Sequence, residues 1–211
     1  MALQRLRADA RWNVVALLCS VSAQYQRVAM HGIRRAVLQA QAKSMDLPLI
    51  ESVLPPAADN PAYLDALAAS LRTARRRWPA LQHIAFGDLF LADVRAWRER
   101  TLGAIGFEAV FPLWGEDTAA LARNFCRSGW RAVLTCVDTT QLPAPFSGRD
   151  YDDALLDDLP AGVDPCGENG EFHTLVHAGP GLRMPLTLRR GDSVLRDGRF
   201  QYTDFELLPD S

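Results

Sequence analysis

Up to Gly115 short apolar runs alternate with segments of helical period, and that alternation leaves few folds open. Asn13 to Val21, Pro48 to Leu54, Leu81 to Gly87 and Phe107 to Pro112 are rich in branched residues and bounded by polar, Gly or Pro positions. Continuous apolar runs of this length suit strands buried on both faces. Between them, Ile33, Val37, Leu38 and Met45 recur at helical spacing. So do Leu64, Leu67, Ala68, Leu71 and Trp78, in a helix begun by Asn60 as cap with Pro61 in its first turn. Such an order predicts βαβ units on a parallel sheet, with ligands bound beyond the carboxyl ends of the strands. Gly87-Asp88 and the stretch Val28 to Gly32 fall at such ends.

After Gly115 the pattern changes. A capped helix from Glu116 to Ser128, closed by Gly129, leads to a strand at Arg131 to Val137 and then to a Pro/Gly/Asp-rich stretch from Pro143 to Gly170. Phe172 to His177 and Met184 to Arg189 read as strands, and Ser193 to Leu208 as a hairpin turning at Asp197-Gly198. This half is α+β, so the expected division is residues 1–114 and 115–211. Met1 to Arg11 reads as the last turns of a helix, with Leu3 and Leu6 on one face. The first strand of a doubly wound sheet is usually central, and the turn after it binds phosphates. Both are expected upstream of residue 1, with Met1 an internal methionine of a longer protein.

Charge and cysteine usage narrow the function classes. Lys plus Arg number 23 and Asp plus Glu 25, a net charge of -2. No global field draws such a chain onto nucleic acid or an anionic membrane. Of the basic residues 22 are Arg and one, Lys43, is Lys. A phosphate-loop or Schiff-base lysine therefore has one candidate, and it lies in a helix pattern away from any Gly-rich turn. Cys19, Cys126, Cys136 and Cys166 lie far apart without a CxxC pair, as reduced thiols in a cytosol do. The longest apolar run, Val14 to Cys19, falls well short of the ~20 residues of a membrane span. The expected location is cytoplasmic.

The segment DPCGENGEFHT, Asp164 to Thr174, carries the densest chemistry. Gly167, Glu168, Asn169, Gly170, Glu171, His173 and Thr174 lie within eight residues, poor material for a core. Glu168 and Glu171 are the candidate catalytic carboxylates, able to hold a cationic group or position a proton transfer, while the glycines let backbone N–H groups approach a ligand. A zinc reading would use Cys166, His173 and His177. Residues 173 and 177 share a strand face but lie about 13 Å apart along it, too far for one ion, so no metal is assigned. In FGDLFLADVRAWRER, Phe86 to Arg100, Asp88 stands at a strand end, whereas Glu99 reads as a solvated i, i+4 partner of Arg95. The arginines of RTARRR, Arg72 to Arg77, form a solvated helix face without the interleaved aromatics of an RNA-binding surface. His31, with Gly87 and Asp88, is a candidate nucleotide contact.

Four pieces in order, VAMHGIRR (Val28 to Arg35), FGDLFLADVRAWRE (Phe86 to Glu99), FPLWGEDT (Phe111 to Thr118) and DPCGENGEFHT, resemble the diphthine-ammonia ligase family. These are N-type ATP pyrophosphatases of the HUP α/β group. The resemblance implies a HUP-like, Rossmann-like parallel three-layer sandwich, here missing its first strand, followed by a smaller α+β substrate domain. It implies ATP as the cosubstrate, taken as its magnesium complex, and ATP-dependent amide formation in which a carboxylate is adenylated and ammonia displaces AMP. Ammonia and the diphthine side chain of elongation factor 2 would be the other reactants, and Glu168 and Glu171 contacts for its quaternary ammonium. The family carries an SGGKDS phosphate loop that this sequence does not contain, which removes the main cradle for pyrophosphate. The Arg-for-Lys and Ala-rich bias reads as a GC-rich bacterial gene. Two alternatives stay open: a non-catalytic nucleotide- and substrate-binding paralogue, and a pyrophosphatase acting on a different bacterial metabolite.

Overall fold

The computed structural model describes residues 1–208. In chain order it contains α1 (Ala2–Ala8), β1 (Leu17–Ser22), β2 (Arg27–Val28), α2 (Arg35–Ser44), β3 (Leu49–Leu54), α3 (Asn60–Arg77), β4 (His83–Ala85), α4 (Ala92–Ala104) and β5 (Glu108–Val110). Then follow α5 (Thr118–Arg127), β6 (Arg131–Asp138), a 3-10 turn (Ala144–Phe146), α6 (Asp153–Asp158), β7 (Phe172–Ala178), β8 (Leu188–Arg196) and β9 (Phe200–Leu207). The chain is mixed α/β, with parallel and antiparallel pairing. No helix among the described residues is long and apolar enough to cross a membrane.

Two compact units emerge. One holds Met1–Gln24 and Pro48–Glu116, the other Tyr25–Leu47 and Asp117–Ser211. The composition break near Gly115 falls at the last of these boundaries. The segment Tyr25–Leu47, which a linear division at residue 114 assigns to the first half, groups with the second.

In the first unit β1 pairs with β3 in parallel, from Leu17 opposite Leu49 to Ser22 opposite Leu54. β4 pairs with β5 in parallel, from His83 opposite Glu108 to Ala85 opposite Val110. β1 starts at Leu17, four residues later than the apolar run suggests; Asn13 to Ala16 carry no ladder. Leu67 and Leu71 of α3, Leu102 of α4 and Phe107 form the buried core, with Leu18 and Ile84 against it. Asp59, not Asn60, caps α3, its carboxylate accepting the Ala62 N–H at 2.9 Å, and Asn60-Pro61 open the first turn.

The second unit is built on a four-stranded sheet in the order β7-β6-β9-β8, every pair antiparallel. β6 is central and almost entirely buried, which its run RAVLTCVD anticipates. Leu134, Val137, Leu142 and Leu155 with Phe172 make one core cluster, and Val37 of α2 with Val133, Leu175 and Phe205 another. Asp197 and Gly198 turn the β8–β9 hairpin, both at positive φ. Two expectations need correction here. Met184 to Thr187 form no strand, and β8 instead runs from Leu188 to Arg196; the Pro185 ring, which has no N–H, cannot serve a ladder. The Pro143 to Gly170 stretch also hides α6, started by the Asp152 carboxylate on the Leu155 N–H at 2.8 Å.

Candidate functional site

The segment Asp164 to Glu171 is a loop organised from within by two carboxylates. Glu171, only 2% exposed, accepts the Asp164 N–H and the Asn169 side-chain amide on Oε1 and the Asn169 N–H on Oε2, all at 2.9 Å. Asp164 closes the circuit, its Oδ2 accepting the Glu168 N–H at 2.9 Å and its carbonyl the Gly167 N–H at 2.9 Å. The Gly170 N–H then bonds the Gly167 carbonyl at 3.0 Å. A buried carboxylate is tolerated when its oxygens are satisfied in this way, and here loop backbone does it. Gly167 has φ +69, and a Cβ there would stand 2.8 Å from the Phe172 carbonyl oxygen, so the turn requires glycine. Two outside bonds anchor the loop: the Tyr151 hydroxyl donates to the Pro165 carbonyl at 2.6 Å, and the Cys166 thiol to that of Thr118 at 3.4 Å. Burial, with Asp164 and Glu168 nearby, pushes the Cys166 thiol up to about 12.

The loop delivers β7, whose His173 and Thr174 lie opposite Cys136 and Leu134 of β6. The His173 ring meets that of His31 at a centroid distance of 4.4 Å and a tilt of 31°. The two residues are far apart in sequence, and the second unit brings them together. Burial, and the His31 ring beside it, push His173 down to about 4; burial also lowers His31, whose Nδ1 lies 3.2 Å from the Ala29 carbonyl. Both imidazoles are therefore neutral at pH 7.

His31 sits in a three-residue turn, its N–H bonded to the Ala29 carbonyl at 2.7 Å, with Met30 between them at φ 64 and 63% exposed. Positive φ at an unbranched non-glycine residue is uncommon, and such strain persists only where surroundings impose it. The surroundings here are specific. The Tyr202 hydroxyl donates to the Met30 carbonyl at 3.2 Å, and Gly32 lies so close to the Tyr202 ring that a Cβ would meet it at 2.6 Å. Arg27 donates to the Gly32 carbonyl at 2.8 Å and to Asp204 Oδ1 at 2.7 Å, while Arg34 bonds both Asp204 oxygens. Burial works against ionising Asp204, but the hydrogen bonds from Arg34 and Arg27 outweigh it and hold its carboxyl below the usual range. The sequence reading missed Asp204, Tyr202 and the strained Met30. The signal for the first was the pair of arginines flanking VAMHGI.

Asp138, at the end of β6, is a second carboxylate that the sequence reading passed over. It is 2% exposed and receives Arg199 on both oxygens at 2.9 and 2.6 Å, the Thr140 N–H and hydroxyl at 3.1 and 2.7 Å, and Gln141 at 3.1 Å. Arg199, then these lesser donors, hold it below the usual carboxylate range against the cost of burial.

Gly87 and Asp88 belong to the first unit, just past β4. Asp88 accepts from Arg98 Nε at 3.0 Å, and the Arg98 guanidinium lies over the Phe86 ring at 4.2 Å. Gly87 has open space on its Cβ side, which leaves its backbone approachable. Glu99 pairs with Arg95 at 2.8 Å, the i, i+4 partner its spacing suggests. Among the described residues no group of three His, Cys, Asp or Glu is arranged to hold a metal ion.

No curated protein matches the chain. Residues 117–197 match the family model of the diphthamide synthase C-terminal domain, a match that starts at the Asp117 cap of α5, ends in the β8–β9 turn, and includes the whole Asp164 to Thr174 loop.

Proposed function

We propose that the chain is an ATP-dependent amide-forming ligase of the diphthine-ammonia ligase type, its second unit serving as the substrate half. The family match over residues 117–197 carries this reading, because it takes in the loop that Glu171 and Asp164 organise. In the proposed reaction a substrate carboxylate attacks the α-phosphorus of ATP and pyrophosphate leaves. Ammonia then attacks the acyl carbon, the bond to the AMP oxygen breaks, AMP leaves with that electron pair, and a proton is released.

Each residue has a part in this reading. Glu171 is a positioning residue, its oxygens bonded to the loop it shapes, and Glu168 faces the cationic head of the substrate. His31 and His173, neutral at pH 7, add no positive charge that would repel a quaternary ammonium. In the first unit, Gly87 and Asp88 mark the nucleotide side, beyond the carboxyl end of β4, where α/β proteins take their ligands. The two parallel ladders belong, in this reading, to a HUP-like layer. ATP enters as its magnesium complex, the substrate is the diphthine of elongation factor 2, and the setting is the cytoplasm.

The sequence holds no SGGKDS stretch and a single lysine, Lys43, which favours a second reading: a nucleotide- and substrate-binding paralogue without turnover. One experiment separates the two. The purified chain is incubated with magnesium ATP, 15N-ammonium and diphthine-bearing elongation factor 2. AMP with a 15N-labelled amide supports the ligase. Substrate binding without AMP supports the paralogue, and neither binding nor AMP sinks both.

A further inference from the structure

β8 breaks the alternation expected of an antiparallel strand with one face on a core. From Arg189 to Arg196 every residue is exposed, and the neighbouring apolar side chains Val194 and Leu195, 42% and 50% exposed, point to opposite faces. β8 also ends its sheet, in the order β7-β6-β9-β8, and pairs only with β9. Its other edge presents a row of N–H and C=O groups that meets no strand among the described residues. A register shift between Arg190 and Ser193 marks a bulge, so the regular stretch runs from Asp192 to the Asp197-Gly198 turn. Two charges on that stretch are uncommitted. Arg189 is bound to Glu206 and Arg190 reaches the Ser147 carbonyl, whereas Asp192 and Arg196 enter no ion pair or side-chain hydrogen bond among the described residues.

We propose that β8 pairs with β8 of a second copy of this chain, antiparallel about a twofold axis at Val194, joining two four-stranded sheets into one continuous sheet. The run DSVLR, Asp192 to Arg196, is what selects a second copy. Centred there, Val194 meets the partner's Val194, Ser193 the partner's Leu195, and Asp192 the partner's Arg196. Both uncommitted charges thus find opposite charges, once at each end of the ladder, and such cross-strand pairs are stabilising. Asp192, Val194 and Arg196 share one face by the two-residue period, so the valines meet between the two ion pairs. A twofold at a residue suits either kind of antiparallel pair, hydrogen-bonded or not, so the outward backbone groups of β8 match those of their copies. A register with Asp192 opposite the partner's Arg190 would need an arginine already held at Ser147, and would leave Arg196 unmatched. The pairing uses up both free edges and closes at two chains. So short a ladder is a small interface, and the dimer is weak and reversible.

The test is sedimentation equilibrium of the purified chain from micromolar to millimolar concentration. Wild type should pass reversibly from monomer to dimer, and added salt should weaken the association. Asp192→Arg and Arg196→Asp each turn both attractive pairs into repulsive ones, and each alone should weaken association by about tenfold or more. An equal mixture of the two variants should associate as wild type does, because every positive strand then has a negative partner. The double variant Asp192→Arg/Arg196→Asp should do the same. At high protein concentration, amide exchange should slow at every second residue from Asp192 to Arg196, the outward row, and at low concentration it should not. Both substituted side chains are exposed and unbonded, so the variants keep the fold. A chain that stays monomeric, single variants that dimerise like wild type, or a mixture no better than its components would overturn the proposal. The measurement needs neither ATP nor substrate, so it stands or falls separately from the ligase reading.

Discussion

His31 and His173, 142 positions apart in the chain, stack ring on ring at 4.4 Å as an uncharged pair. Burial favours the neutral form of both. The unfolded chain takes up protons at the ordinary histidine value of 6.5, whereas folded His173 waits until about 4. Stability is therefore full above pH 6.5 and declines as pH falls towards 4. Between pH 6.5 and pH 5 the loss should be about 2 kcal/mol for His173. Chemical denaturation at these two pH values checks it, and H173F should flatten the difference. An unchanged slope in H173F would show that other groups set the acid response.

Glu171 is expected to matter through the loop it holds. Glu171→Gln turns one acceptor into a donor aimed at an N–H, and should cost about 1–3 kcal/mol of stability. Exchange of the Asp164 and Asn169 amides should rise together, because their acceptors lie on one carboxylate. If the substitution leaves those amides protected, the loop is held by something else.

At Gly167 both backbone and space forbid a side chain. The φ of +69 and the 2.8 Å approach to the Phe172 carbonyl predict that Gly167→Ala destabilises by about 1–3 kcal/mol. Thermal melting of the variant measures this, and a neutral result would contradict the turn geometry.

Asp138 ties the end of β6 to Arg199, Thr140 and Gln141. Asp138→Ala removes every one of these acceptors at a buried position and should cost about 2–4 kcal/mol. Its carboxyl is held below the ordinary value of 3.8, so its contribution is complete above that pH and is lost only as pH falls further. Denaturation curves of wild type and variant should accordingly differ at pH 7 and converge in strong acid. Convergence already at pH 6 would rule the assignment out.

Local features of the fold were legible in the chain and pairings were not. The run RAVLTCVD announces a buried strand, and Asp197-Gly198 announces its hairpin, because period and turn chemistry are local. The density of GENGEFHT marked the loop, yet nothing local distinguishes a carboxylate that faces a ligand from one that, like Glu171, faces its own backbone. Asp204 stayed hidden because its partners, Arg27 and Arg34, lie on the far side of the sequence. Met30 shows the same limit: its carbonyl is held by the Tyr202 hydroxyl from the far end of the sequence, and nothing about a methionine at that place announces a positive φ.

The hold of Asp204 on Arg27 and Arg34 also orders events during synthesis. Residues 25–47 leave the ribosome before the strand they lean on, β9, which fills an interior position in its sheet. The second unit must stay open, with the VAMHG turn unformed, until translation has passed residue 207. A nascent chain arrested at Arg196 should lack protection in residues 27–34, and one extended well past Leu207 should gain it within a single cooperative step.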